Sequence, residues 1–350
     1  MRIVVPEGYS RLAAIPAGIE PCKWLGRFFT IVWLLANALL PSQVLCAERS
    51  AKTVSVRIAV VSRSTLDLPF WVAQERGFFR DEGIEPEIIL FKASLAVQAM
   101  LGGSIDFGTA TGTALSAAVS GADVRIVMAM SERPSFDLIG HASITNTQQL
   151  RGKRIGYGGV GGLPEIIIRQ ILAANQIPTD QVTFLSLGGG DVSFMSLRAG
   201  VIDAVMLQIP NTFIAQDEGF RKIASGADYY RAVQGGLTVT KALLTEKPEI
   251  VTKVIRATLR AMRLLKNDKK YALETMSKKN YVDLGKERER FVERAYQAAT
   301  QGYLSSGVVD EKLQREMIAT AAQRLKPTPQ IAPERIFDFS LARKVGEGLR

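Results

Sequence analysis

From Val54 onward, short β-branched runs alternate with stretches of helical period, and this alternation limits the possible folds more than any other feature. VSVRIAVV (54–61) reads as a strand. Asp67 stands where a cap belongs before the helix LPFWVAQER, with Pro69 in the tolerant first turn and Gly77 to end it. IEPEIILF (84–91) is a second strand, followed by a helix opened by Ser94. IDFGTA (105–110) leads into the small-residue helix TGTALSAAVSG, and VRIVMAM (124–130) completes the first set. FDLIGHAS and LRGKRIGYG (150–158) begin a second set of the same kind. LPEIIIRQILAANQ (163–176) is an apolar helix, and VTFLSLGGG, DVSFMSLRAG and DAVMLQIP read as strand, helix, strand. RKIAS and GGLTVT add two short strands, and from Pro248 the pattern is helical. Such alternation predicts an α/β fold. In both sets a strand ends in Gly, Ser or Thr and a helix starts at once. Ligands of open α/β sheets lie beyond the carboxyl ends of the strands, where helix N-termini present free N–H groups. Two such lobes predict a cleft that closes by a hinge.

The first 47 residues read as a secretory signal. FFTIVWLLANALL (28–40) is an apolar run preceded by Lys23 and Arg27 and followed by small residues up to Cys46 and Ala47. The run is shorter than the roughly 20 residues a membrane-spanning helix needs. Lipid attachment at Cys46 is the minor alternative, disfavoured by the bulk of Leu45. Both cysteines, Cys22 and Cys46, fall in this segment, so the mature chain is expected to hold no disulfide and no thiolate. His141 is the only histidine and stands in a strand pattern, so zinc sites and Ser-His-Asp or Cys-His mechanisms lack their parts. The net charge of +10 is concentrated in residues 247–326, where 18 basic residues face 10 acidic ones at helical spacing. That spacing suits solvated helix faces rather than a nucleic-acid surface. No metal and no cofactor are expected.

Gly156-Tyr157-Gly158-Gly159-Val160-Gly161 fits the dinucleotide pattern GxGxxG between a strand and a helix. The acid that should end the next strand is missing, since VTFLSLGGG closes in glycines. The loop is therefore expected to let a polar or anionic ligand approach bare backbone, or else to serve close packing alone.

LPFWVAQERGFFRDEGIEPEI, LGGSIDFGTAT, LRGKRIGYGGVGG and LRAGVIDAVML, in this order and spacing, resemble the nitrate/sulfonate/taurine-type solute-binding proteins of ABC transporters. The resemblance runs from about Val54 to Asn211 and is weaker over the C-terminal helices. It implies a two-lobed type II periplasmic-binding-protein fold with a ligand cleft between the lobes. Residues 54–131 plus 236–350 would form lobe one, and 136–234 an inserted lobe two. It also implies a monomeric, extracytoplasmic binding component that serves an inner-membrane permease and performs no chemistry. The alternative is a same-fold enzyme of thiamine-pyrimidine or menaquinone precursor synthesis. The first of these uses a histidine and a cysteine-rich motif that the mature chain does not have, and the second is cytoplasmic.

The family's ligand contacts come from loops after strands. Carried over, they are Ser62, Arg63, Ser64 and Thr65 after the first strand, Ser94 after the second, and Thr109 and Thr111 after the third. Lobe two would add Tyr157, Gly158, Gly159, Gly161, Gly162, Gln208 and Asn211. Ser64, Thr65, Thr109 and Thr111 equally suit turn and cap duty, Arg63 a surface carboxylate, and Tyr157 packing within its lobe. Asp106 and Asp203 suit structural turns or caps, and Asp67 and Asp191 suit helix caps. An inventory rich in donors predicts an anion or a neutral solute with acceptor oxygens in preference to a cation.

Overall fold

The computed structural model describes residues 53–349 apart from 189, 210, 279, 280, 283, 285–287 and 326–330. The signal segment expected over 1–47 lies outside the described residues. The chain opens with β1 (Val54–Val60), α1 (Leu68–Glu75), β2 (Ile84–Leu90), α2 (Ala93–Leu101), β3 (Phe107–Gly108), α3 (Thr111–Val119) and β4 (Val124–Ser131). It continues through β5 (Phe136–Gly140), β6 (Arg154–Tyr157), α4 (Leu163–Ala174), β7 (Thr183–Ser186) and α5 (Gly190–Arg198). Next come β8 (Ala204–Gln208), α6 (Asn211–Asp217), β9 (Arg221–Ser225) and β10 (Gln234–Thr240). The longer C-terminal helices are α7 (Pro248–Asn267), α8 (Arg288–Gly302), α9 (Glu311–Leu325) and α10 (Ser340–Gly348).

Two five-stranded sheets result, in the orders β2-β1-β3-β10-β4 and β7-β6-β8-β5-β9. Each has three parallel strands (β2, β1, β3; β7, β6, β8) followed by an antiparallel one, β10 or β5. Period-two side-chain alternation puts core on both faces. In β1, Val56, Ile58 and Val60 join one cluster and Ala59 the other. In the second sheet Leu138 and Ile139 divide in the same way. Helix α7 begins with Pro248 and buries Val251, Val254, Ile255, Thr258, Leu259, Met262 and Leu265, an i, i+3/i+4 stripe laid on the first sheet's core.

The two sheets also share a clamp. Asp106 Oδ2 accepts from Arg57 N (2.8 Å) and Nε (3.1 Å), while an Arg57 Nη donates to Gly103 O (2.8 Å). Asp203 Oδ2 accepts from Arg154 N (2.8 Å) and Nε (3.0 Å), and an Arg154 Nη donates to Gly200 O (2.8 Å). The spacing is the same in both, 49 residues from Arg to Asp and 46 from Arg to Gly. Gly103 (φ +73°) and Gly200 (φ +69°) are left-handed turns that end α2 and α5. The two aspartates are therefore structural, but they brace a strand against the end of a helix instead of capping one. The Arg154 guanidinium holds the Asp203 carboxyl below the usual carboxylate range.

Three local expectations need correction. The third strand shrinks from 105–110 to two residues, because the chain turns into α3 at Thr111. His141 lies just past β5, its ring 5.3 Å from that of Phe220. Helix α2 starts at Ala93 after Lys92, which leaves Ser94 inside its first turn.

Candidate functional site

Beyond the carboxyl ends of β1, β2, β6 and β8 lies a cavity of about 540 Å³, within the size range of small-molecule sites. Loops from both sheets line it. Val61, Ser62, Arg63, Ser64 and Leu90 come from the first, and Phe136, Gly158, Pro164, Gly190, Asp191, Ser193, Met206, Gln208, Ile209, Asn211 and Ile214 from the second. A larger groove near α9 and α10, bordered by Arg263, Asp310 and Arg343, lies away from every one of these strand ends.

The loop after β1 is held from three sides. Ser62 N donates to Asp67 Oδ2 (3.0 Å), and Ser62 Oγ lies 2.9 Å from both Asp67 Oδ2 and Ser64 Oγ. A hydroxyl has one proton, so Ser62 donates to the carboxylate and accepts from Ser64. Asp67 N and Leu68 N both donate to Ser64 O (3.2 and 3.1 Å). The buried Tyr303 hydroxyl, just past α8, donates to Thr65 O. Asp67 occupies the position before α1, but its side chain bonds back to Ser62 and makes no cap. It is buried, and no cation pairs with it among the described residues. Desolvation therefore pushes its carboxyl up to about 6, against the opposing pull of Ser62, Thr109 and backbone N–H groups. Burial, then Asp67, pushes the Tyr303 hydroxyl upward as well. On this braced loop Arg63 is exposed, with no hydrogen bond or ion pair among the described residues.

The glycine loop is differently committed. Gly156, the first glycine of GxGxxG, sits inside β6, where a Cβ would meet Ile202 Cδ1 at 2.5 Å. Gly161 (φ +77°) donates its N–H to Glu165 Oε2 at 2.6 Å, and Gly162 N donates to Gly159 O. Glu165 is buried at the first turn of α4 and pairs with Arg169 at 2.8 Å. The positive end of this helix is thus already matched by a carboxylate of its own chain, so the Gly161 N–H is not free for the ligand expected to approach bare backbone there. Gly158 does reach the cavity, and its Cβ position is closed off by Gly188 O at 2.9 Å.

Of the residues singled out from sequence, Ser62, Arg63, Ser64, Gly158, Gln208 and Asn211 share the cavity wall. Thr65, Thr109 and Thr111 are buried off it. The Thr111 hydroxyl donates to Val233 O (3.1 Å). The Thr109 hydroxyl neighbours Asp67 and favours its charged form, but makes no bond of normal geometry. Tyr157 packs edge-on to Phe184 in the core of the second sheet, and burial raises its hydroxyl above the usual range. Gly159, Gly161 and Gly162 do not line the cavity, nor does Ser94 among the described contacts. Sequence reasoning missed the apolar lining (Phe136, Met206, Ile209, Ile214) and the pair Asp191 and Ser193. Asp191, read as a cap, lies in the first turn of α5 and accepts from Asn211 Nδ2 at 2.8 Å.

The family profile described as "NMT1/THI5 like" matches residues 66–272. Among curated proteins, the riboflavin-binding protein RibY of Chloroflexus aurantiacus is 26% identical over 211 residues, 55% of this chain. The match spans 57% of that relative, little more than half its length. A solved structure from Bordetella bronchiseptica RB50 superposes with a TM-score of 0.70 at 23% identity, covering 85% of this chain and 98% of that one. The alkanesulfonate-binding protein SsuA of Xanthomonas axonopodis pv. citri, bound to MOPS, gives a TM-score of 0.68 at 19% identity, covering 82% of this chain and all of that one. These likenesses establish the periplasmic-binding-protein fold.

Proposed function

The chain belongs to the NMT1/THI5-like family, and from that premise we propose that it is the extracytoplasmic solute-binding component of an ABC importer. It takes up a small organic solute with acceptor oxygens by closing two lobes over it, hands it to an inner-membrane permease, and performs no chemistry. Lobe one takes residues 54–131 and 236–350, lobe two takes 136–234, and the hinge lies at the two crossings between them. The observation that carries this reading is the cavity at the strand ends of both sheets, with an unpartnered Arg63 on a loop that is otherwise fully braced. A guanidinium held in that way offers its fork to a carboxylate, sulfonate or carbonyl edge without competition from the protein. Relatives named for riboflavin and alkanesulfonate binding make organic solutes the favoured class, and the apolar lining agrees with a body larger than an inorganic oxyanion.

A thermal-shift panel of nitrate, alkanesulfonates, aromatic carboxylates and riboflavin tests the proposal, since a ligand bound only by the native state raises its apparent stability. At least one organic member should raise the melting temperature. Arg63→Ala should weaken that member about tenfold or more, the loss of a charge-assisted bond of roughly 1.5–3 kcal/mol. No response to any solute would overturn the proposal, whereas an unaffected Arg63→Ala variant would overturn only the role of that residue.

A further inference from the structure

The cavity does not carry one sign of charge. Arg63 stands on the first sheet's wall, but Asp191 stands on the second sheet's wall of the same cavity. Asp191 is exposed, and one of its oxygens, Oδ1, is fixed by Asn211 Nδ2 at 2.8 Å. It has no ion pair among the described residues, so its other oxygen is left to accept. Two residues on, Ser193 is buried to 1% exposure on the same wall, and its hydroxyl has no hydrogen-bond partner among the described residues. A buried hydroxyl without a partner is costly, and this one belongs to a residue of the cavity wall, so a small shift of that wall as the cavity fills would let an occupant supply the bond. The same two walls also carry apolar side chains, Val61 on the first and Phe136, Met206 and Ile214 on the second.

From this arrangement we infer that the solute is an amphipathic zwitterion, its anionic head on Arg63, its cationic or N–H donor end on Asp191 and Ser193, and an apolar body between. This specifies the solute class within the solute-binding role proposed above and rests on it. A simple anion would satisfy Arg63 and leave Asp191 facing it with like charge. A simple cation would do the reverse. A zwitterion meets both charges and the hydroxyl.

Calorimetry with three probes that share one body separates these cases: 4-(aminomethyl)benzoate, the anion 4-methylbenzoate and the cation 4-methylbenzylammonium. The zwitterion should bind at least tenfold more tightly than either singly charged probe. Asp191→Asn, which keeps an acceptor for Asn211, should collapse that ratio to within about twofold, with the melting temperature of the free variant checking its fold. Zwitterion affinity no better than that of 4-methylbenzoate overturns the inference. So does a tenfold ratio unchanged in Asp191→Asn, which would put the ammonium end on some other acceptor. Binding of none of the three by a protein that responds to other solutes overturns the zwitterion assignment and leaves the solute-binding role standing. No response to any solute overturns that role.

Discussion

At the scale of single residues, Asp67 shows what the sequence could and could not reveal. Its place between a strand and an apolar helix reads as a cap, because local spacing shows which backbone groups are near and not which way a side chain turns. In the fold it turns back under the loop that carries Arg63. Arg63 was singled out by its place in a strand-end loop, and the fold puts it on the cavity wall, where sequence alone left a surface carboxylate as an equal partner. Burial raises the Asp67 carboxyl to about 6, above an unfolded value near 4. Folding therefore takes up a proton between about pH 4 and pH 6. The cost of the buried charge is fully present above pH 6 and disappears as the pH falls through the folded value toward the unfolded one. Other carboxylates, such as Asp203, shift the opposite way and lose stability in acid, so the Asp67 contribution is read as a difference. The stability of Asp67→Asn minus that of the wild type should rise by up to about 3 kcal/mol from pH 4 to pH 7 in urea unfolding. A difference independent of pH would show that the carboxyl is not held protonated by burial.

At the scale of elements, the strands and helices were legible almost throughout because their apolar periods are long and clean, as in VRIVMAM and the stripe of α7. The glycine loop was not. Its motif is compatible with three uses, and the choice depends on Glu165, four residues beyond Gly161, folding back onto its N–H. The apolar lining was equally hidden, because Phe136, Met206 and Ile214 look like any core residue until the strand ends are brought together. The loop's remaining link to the site is Gly158, whose Cβ would press on the backbone oxygen of Gly188 at 2.9 Å. Backbone cannot rotate away as a side-chain tip does, so Gly158→Ala should push the 158–162 loop off the 187–190 segment that leads into Asp191 and Ser193. A cost of about 1–3 kcal/mol is expected, with weaker solute binding. Gly159→Ala is the matched comparison, since nothing lies within 4 Å of its Cβ position. Equal stability and equal affinity in the two variants would refute the close approach at Gly158.

At the scale of the whole molecule, the repeated sheet order and the repeated Arg–Gly–Asp clamp make the two sheets alike, each braced at the end of its β-α-β units away from the cavity, and the two proposed lobes are built on them. Side chains join them as well as backbone: Phe213 of α6 packs in the first sheet's core against Phe291, and Arg290 and Arg294 of α8 reach Asp217 and Gln216 at 3.1 Å. The chain crosses after β4 and again before β10, and the two crossings are tied side by side. Ala232 N donates to Glu132 O (3.1 Å), Ser135 N donates to Gln234 Oε1 (2.5 Å), and Arg231 pairs with Glu132 (2.8 Å). Gln234 is buried at the start of β10, and its Nε2 has no partner among the described residues, so its side chain ties the second crossing to the first through Oε1 alone. The hinge proposed above turns at these crossings, because φ/ψ changes in a few residues cost less than repacking a core. Small-angle scattering should therefore show the radius of gyration fall when the tightest solute of the thermal-shift panel saturates the protein. Gln234→Ala removes the bond to Ser135 while leaving the cavity lining intact, and should broaden the free protein's size distribution without abolishing that fall. A radius unchanged by saturating solute would rule out closure, and a fall lost in Gln234→Ala would make this side chain part of the closing motion instead of a tie across it.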